Sequence, residues 1–322
     1  MPITFDDIAR AAERIRDIAH RTPVMTSHIF DERAHVQAFF KCENLQRGGA
    51  FKIRGASNFA YSMSQADLRR GFVACSSGNH AQAVAIAAKV LGVTATIVMP
   101  EDAPRSKVQA THEYGATVVM YNRLRDDRDA IARRIAEETG ATFIPPYDHA
   151  WTMAGQGTVA LELLDQAPAL DALMTPIGGG GLSAGCSIVV KALQPAMRVF
   201  GVEPTDANDT WLSLRAGERV SIPPPTTVAD GLRAPMPGAL TFPVIQRNVE
   251  AILLVTDEEI REAVRFLLTR MKIVVEPSGA VCAAAALFRK LPPDIGRVGI
   301  VLTGGNVDLD YLASLDSPGG DQ

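Results

Sequence analysis

Short apolar runs alternate with longer amphipathic stretches from residue 37 to residue 302, and this alternation constrains the fold more than any other feature of the chain. Strand-like runs occupy residues 37–42, 71–75, 94–99, 116–121, 141–144, 172–176, 198–202, 251–255 and 297–302. Between them apolar residues recur at helical spacing over 52–63, 80–90, 105–114, 126–138, 153–164, the stretch after Gly181, 257–271 and 279–290. A strand that crosses a helix before the next strand pairs parallel to it, so the pattern predicts α/β lobes, each a parallel sheet with helices on both faces. Residues 1–63 and 149–322 are expected to form a large discontinuous domain, with 70–141 inserted as a smaller one. The periodicity lapses around Pro223-Pro224-Pro225, as in a long surface connection. Ligands of such sheets settle beyond the carboxyl ends of the strands, so the residues right after each strand are where chemistry is sought.

Composition narrows the class. At 322 residues, 47% hydrophobic, 21% charged and net charge −4, the chain suits a globular protein of one large or two medium domains. The mild acidity gives no support to nucleic acid or an anionic membrane as partner. Residues 1–22 carry Asp6, Asp7, Glu13 and Asp17 among apolar residues at helical spacing, which reads as an amphipathic helix and not a signal peptide. Cys42, Cys75, Cys186 and Cys282 stand singly in apolar stretches, as buried thiols in a reducing cytoplasm would.

Six stretches follow strands or open helices. In Gly48-Gly49-Ala50-Phe51-Lys52, the lysine stands at a helix start, where the positive end of the dipole disfavours a cation and lowers its pKa. An imine-forming lysine needs that; a lysine snorkelling to solvent is the plain alternative. Ser76-Ser77-Gly78-Asn79-His80 offers amides and hydroxyls to a carboxylate or phosphate, or merely caps a helix. The run from Gly178 to Gly181, with Leu182, suits a phosphate cradle. Gly179, Gly181 and Ala184 also fit the dinucleotide fingerprint, with Glu203 as its ribose acid. Glu203, Ala207 and Asp209 lie in an oxygen-rich loop that suits a hard cation, or a turn with an Asp cap. Thr303, in Thr303-Gly304-Gly305-Asn306, would meet a heterocyclic nitrogen or cap a turn, and Glu276 precedes a helix.

Taken in order, the segments KCENLQRGGAFKIRGA, SSGNHAQA, AGQGT, GGGGLSAG, VEPTDAND, EPSGA and LTGGNVDL resemble the serine racemase and threonine/serine dehydratase family. These are fold-type II, tryptophan synthase β-like enzymes that use pyridoxal 5′-phosphate (PLP), and the likeness runs from about Phe5 to Leu312. It implies that Lys52 carries PLP as a Schiff base and removes the Cα proton, with Phe51 packed on the pyridine ring. It gives Asn79 the ring's phenolic oxygen, Gly178, Gly179, Gly180, Gly181 and Leu182 the phosphate, and Thr303 the ring nitrogen. Ser76, Ser77, Gly78, Asn79 and His80 would take the substrate carboxylate, and Ser77 would act as acid/base opposite the lysine. Glu203, the Ala207 carbonyl and Asp209 match the racemase branch's site for a divalent cation, Mg2+ or Ca2+. The implied reaction is α,β-elimination of a 3-hydroxy amino acid to a 2-oxo acid and ammonia, with racemisation as the alternative. A dinucleotide-dependent oxidoreductase and a non-catalytic α/β binding protein are the rivals from other classes. The family further implies a cytoplasmic homodimer acting on a small amino acid. Lacking a regulatory module after the catalytic domain, it would serve catabolism. Two departures matter: many relatives have Thr-Gly-Ser where Gly48, Gly49 and Ala50 stand, which predicts a wider pocket or a lost polar contact and a larger substrate, such as 3-phenylserine or 3-hydroxyaspartate. Ser77 stands where plain threonine dehydratases commonly have alanine, which predicts that D-substrates are accepted or slowly racemised.

Overall fold

A computed structural model describes residues 3–315 except 77, 104, 123 and 168. Strands β1 (Val24–Met25) and β2 (Gln37–Cys42) come first. Then follow β3 (Phe72–Cys75), β4 (Ala95–Pro100), β5 (Thr117–Tyr121) and β6 (Thr142–Phe143). The last four are β7 (Ala172–Pro176), β8 (Arg198–Pro204), β9 (Ala251–Val255) and β10 (Arg297–Leu302). They form a six-stranded sheet, β1-β2-β10-β7-β8-β9, and a four-stranded sheet, β5-β4-β3-β6. Every pairing is parallel except β1 on β2, a two-residue edge strand that the sequence pattern does not reveal.

The β2–β10 register, Leu302 opposite Cys42, brings the segment after β2 beside the segment after β10. A bridge between Ala50 and Gly304 continues that contact, with Phe51 N donating to Thr303 O at 3.0 Å and Gly305 N to Gly49 O at 2.9 Å. β7, the other neighbour of β10, delivers the glycine run to the same edge. Here several strands end and a ligand can be reached from all of them.

Apolar residues on both faces of each sheet bury against helices. One face of the six-stranded sheet packs on Pro277–Leu287, a helix buried along its whole length, and the other on Ala150–Gln166 and Gly181–Leu193. The four-stranded sheet packs on Asn79–Leu91 and on Arg128–Thr139. The stretch expected as one helix over 257–271 is an α-helix, Asp257–Phe266, running into a π-helical turn, Leu267–Met271, closed by Lys272 at φ 61°. Ser27 and Asn208 precede short helices, His28–Ala34 and Asp209–Ala216, too brief to show periodicity. All four cysteines are buried with free thiols. Among the described residues, no helix is long and apolar enough to cross a membrane.

Candidate active site

Lys52 opens the helix Lys52–Tyr61, as its sequence context predicts. Its Nζ donates to Pro146 O at 2.8 Å and stands 5.2 Å from the centre of the Phe51 ring. The residue is half-buried, and burial pushes the amine down to about 8. The cause is desolvation, not the helix end alone. Three contacts fix the helix that carries it. Gln156 Oε1 accepts from Gly55 N at 3.1 Å, capping an early amide. Arg54, 1% exposed, grips both oxygens of Glu43 at 2.8 Å, and Glu162 beyond them. Gly155 lies so close that a Cβ there would stand 2.5 Å from Arg54 O. The AGQGT segment is thus a wedge between the lysine helix and Gly181–Leu193, where Gly185 meets Met153 O and Gly157.

The glycine run lies beyond β7. Gly180 has φ 90°, a left-handed conformation glycine adopts freely. Gly179 O accepts from Thr241 Oγ1 at 2.7 Å and Gly238 N at 3.2 Å, which turns the N–H of that planar peptide, on Gly180, to the other side. The helix Gly181–Leu193 starts there without a side-chain cap, leaving its positive end for an anion. The Tyr147 ring lies against the Cα of Gly179 and its backbone against Gly181, so a side chain at either would collide. Leu182 is 4% exposed. An uncapped helix start and, through Pro146 and Tyr147, an amine linked to it suit a phosphorylated aldehyde.

Asn79 begins the helix Asn79–Leu91 after β3 and reaches across to the segment after β10. Its Nδ2 donates to Glu276 Oε1, and its Oδ1 accepts from Asn306 Nδ2 at 2.9 Å. Ser76 Oγ accepts from Gly78 N at 3.1 Å, so this serine caps its own turn. His80 is 2% exposed, and its Nε2 contacts Ile144 O at 2.9 Å. Its side chain is therefore committed to backbone, and burial and Lys52 hold its pKa down at about 3. Ser77 lies outside the described residues. Thr303 is 4% exposed and contacts Ser278 O at 3.4 Å.

The oxygen-rich loop ends in a buried pair. Glu203 and Asp209 are both 0% exposed. Burial, with Asp209 nearby, raises Glu203 to about 8, and burial raises Asp209 to about 7. Glu203 accepts from Thr210 N at 3.1 Å and Trp211 N at 2.9 Å, while neither Asp209 oxygen has a partner. Two orphaned, acceptor-only oxygens in the interior fit a cation. No cluster of three or more acidic, His or Cys ligands occurs among the described residues, so a carbonyl such as that of Ala207 would have to complete the set.

Two expectations are corrected. Gly48, one of the two positions that lack a hydroxylated side chain, does not open the pocket: it has φ 72° and the space beside it is filled by Ile86, while Gly49, at φ 71°, packs against the Asn306 amide. Nor does Glu203 suit a ribose: its carboxylate turns inward onto the start of the helix Asp209–Ala216. The dinucleotide reading loses its acid. The alignment of sequence signals with strand ends missed Lys107, Asp230 and Tyr147, which no motif spacing marks.

A profile described as pyridoxal-phosphate dependent enzyme matches residues 15–304. The chain is 49% identical over 314 residues to an L-threo-3-hydroxyaspartate ammonia-lyase of a Pseudomonas species, covering 97% of this chain and 98% of that one. It is 47% identical over 310 residues to a serine racemase of Schizosaccharomyces pombe, covering 96% of each. The solved structure of maize serine racemase superposes with a TM-score of 0.94 at 42% identity, covering 98% of this chain and 97% of that one.

Proposed function

The chain belongs to the pyridoxal-phosphate dependent enzyme family, and from that premise we propose a PLP-dependent ammonia-lyase that converts a 3-hydroxy amino acid to a 2-oxo acid and ammonia. One observation carries the reading: the Lys52 amine meets Pro146 O and the Phe51 ring, while Phe51 N meets Thr303 O and Tyr147, next after Pro146, packs on Gly179 before an uncapped helix start. The first substrate to expect is L-threo-3-hydroxyaspartate, on which the Pseudomonas relative acts by name.

When bound, PLP supplies an electron sink for the bond-breaking at Cα. The residues supply the rest. Lys52 would hold PLP through its amine, and the same amine would take the proton from Cα. Gly178 to Gly181 with Leu182 would hold the phosphate by backbone amides, Phe51 would support the ring face, and Thr303 and Asn79 would meet the ring nitrogen and oxygen. The loop Ser76 to His80 orients the substrate carboxylate, His80 through its backbone. The Cβ–O bond breaks, and the Cα proton taken up by the protein and the Cβ hydroxyl together leave the substrate as one water. The enamine released takes up water, loses ammonia and becomes the 2-oxo acid. Glu203, Asp209 and the Ala207 carbonyl hold Mg2+ or Ca2+. Residues 1–63 and 149–322 act as the large domain and 70–141 as the small one, in a cytoplasmic homodimer.

Purified protein with added PLP should be yellow, and borohydride should fix the cofactor to Lys52. Ammonia and 2-oxo acid release should then be compared for L-threo-3-hydroxyaspartate, L-serine, L-threonine and 3-phenylserine. A clear preference for serine would refute the larger substrate; a colourless protein holding nicotinamide would refute the family chemistry. The serine racemase relative favours a second activity, slow racemisation with Ser77 as the opposing acid/base. Unchanged turnover of D-substrates in Ser77→Ala would exclude that role.

A further inference from the structure

Two buried charged groups, Lys107 and Glu276, and the half-buried Asp230, none with a part in the chemistry above, meet between the parts of the chain that build the two sheets. Lys107, on the helix Arg105–Glu113 after β4, sets Nζ 2.8 Å from Asp230 Oδ2 and 3.3 Å from Glu276 Oε2. Both carboxylates belong to the part of the chain that builds the six-stranded sheet, so the ammonium bridges the cleft. Lys107 and Glu276 are 5% and 2% exposed. Asp230 Oδ1 accepts from Ser278 Oγ at 3.2 Å, and Ser278 Oγ in turn accepts from Gly231 N at 2.9 Å.

The other oxygen of Glu276 accepts from Asn79, directly over the Cα of Gly304. Asn306 Nδ2 donates to Asn79 Oδ1 at 2.9 Å and to Gly48 O at 2.8 Å. An amide between a carboxylate on its nitrogen side and an N–H donor on its oxygen side has one orientation. A second hydrogen of the Asn79 amide is then left for a ligand.

We propose that Lys107 is a positioning residue: paired across the cleft with Asp230 and Glu276, it holds the Glu276 carboxylate as the acceptor that aims the Asn79 amide at the cofactor's ring oxygen. The inference rests on the reading that Asn79 faces PLP. Burial pushes the Glu276 carboxyl upward, and the Lys107 ammonium opposes it. Without the ammonium, burial and the Asp230 carboxylate are opposed by the Asn79 hydrogen bond alone, and the carboxyl is driven toward its protonated form. It is then a donor as well as an acceptor, and the Asn79 amide loses its fixed orientation. The stem of Lys107 also lies against the substrate loop, since a Cβ at Gly78 would stand 2.9 Å from Lys107 Cδ.

The test uses wild type, Lys107→Met and Lys107→Met/Glu276→Gln, each loaded with PLP, with unfolding curves as a check on folding. The readouts are the visible absorption of the bound cofactor, its dissociation constant, and kcat and KM for L-threo-3-hydroxyaspartate taken separately. Lys107→Met should shift the absorption band and lower kcat about 100-fold, as misplacement near the reacting centre does, with KM moved less. The double variant, in which a neutral amide offers Asn79 an acceptor with no charge to quench, should recover the wild-type band and most of kcat. A single variant with wild-type band and kcat overturns the proposal, as does a double variant no better than the single. Should Lys107→Met fail to fold, the band of the double variant decides: wild-type position supports the proposal, a shifted one overturns it. A wild type that takes up no PLP sinks the functional reading as well, whereas a yellow wild type beside an unaffected Lys107→Met sinks this inference alone.

Discussion

At Lys52 the amine has Pro146 O as its hydrogen-bond partner and a pKa held at about 8 by burial. Only the neutral amine attacks an aldehyde. The rate of covalent PLP uptake by the apoprotein should therefore climb with pH to about 8 and then level off. An ordinary lysine, near 10.4, would keep gaining about tenfold per pH unit beyond that point. Stopped-flow absorbance across pH separates the two. Asp209 and Glu203 show the reverse displacement, raised to about 7 and about 8. Both folded values lie above those of the unfolded chain, so between roughly pH 4 and 8 the folded state keeps protons that the unfolded state has released. Cation-free protein should thus lose stability as pH rises through that window. Mg2+ or Ca2+ should restore it by favouring the ionised forms. Melting curves with and without the cation check this, and Asp209→Asn should abolish the cation's effect.

Among the elements, the helix Ala150–Gln166 holds the chemistry in place without touching it. Its Gly155 packs against Arg54 O and Gly55 Cα, its Gln156 caps Gly55 N, and its Gly157 meets the helix that carries the glycine run. Gly155→Ala would place a methyl 2.5 Å from Arg54 O, and backbone cannot yield as a flexible side chain can. Overpacking of this kind costs about 1–3 kcal/mol. The variant should unfold at lower urea, and the displaced Lys52 helix should lower kcat/KM about 100-fold. Unaltered activity at reduced stability would show that the wedge serves packing alone. Arg54 is held more firmly still: truncating it would leave Glu43, 0% exposed, as an unpaired interior charge.

Across the whole molecule the site draws on both sheets. The six-stranded one supplies Lys52, the glycine run and Thr303, and the four-stranded one supplies Asn79. A ligand gripped from both sides binds the assembled fold and not the unfolded chain, so PLP at 100 times its dissociation constant should add about 2.7 kcal/mol of stability. Calorimetry of apo- and holoprotein measures it; an unmoved transition would mean that PLP does not bind the folded chain in preference to the unfolded one. By itself the sequence determined the alternating α/β pattern and the residues that follow strands: Lys52, Ser76 to His80, Gly178 to Gly181 and Thr303. These are legible because periodicity and chain order are local properties. The short helix His28–Ala34 and the edge strand Val24–Met25 were not, being too brief to carry a period. What filled the space beside Gly49, which way Glu203 faced, and the meeting of Lys107 with partners 123 and 169 positions away were decided only by the tertiary structure. Packing brings such groups together through the register of whole sheets, and no short stretch of sequence encodes that.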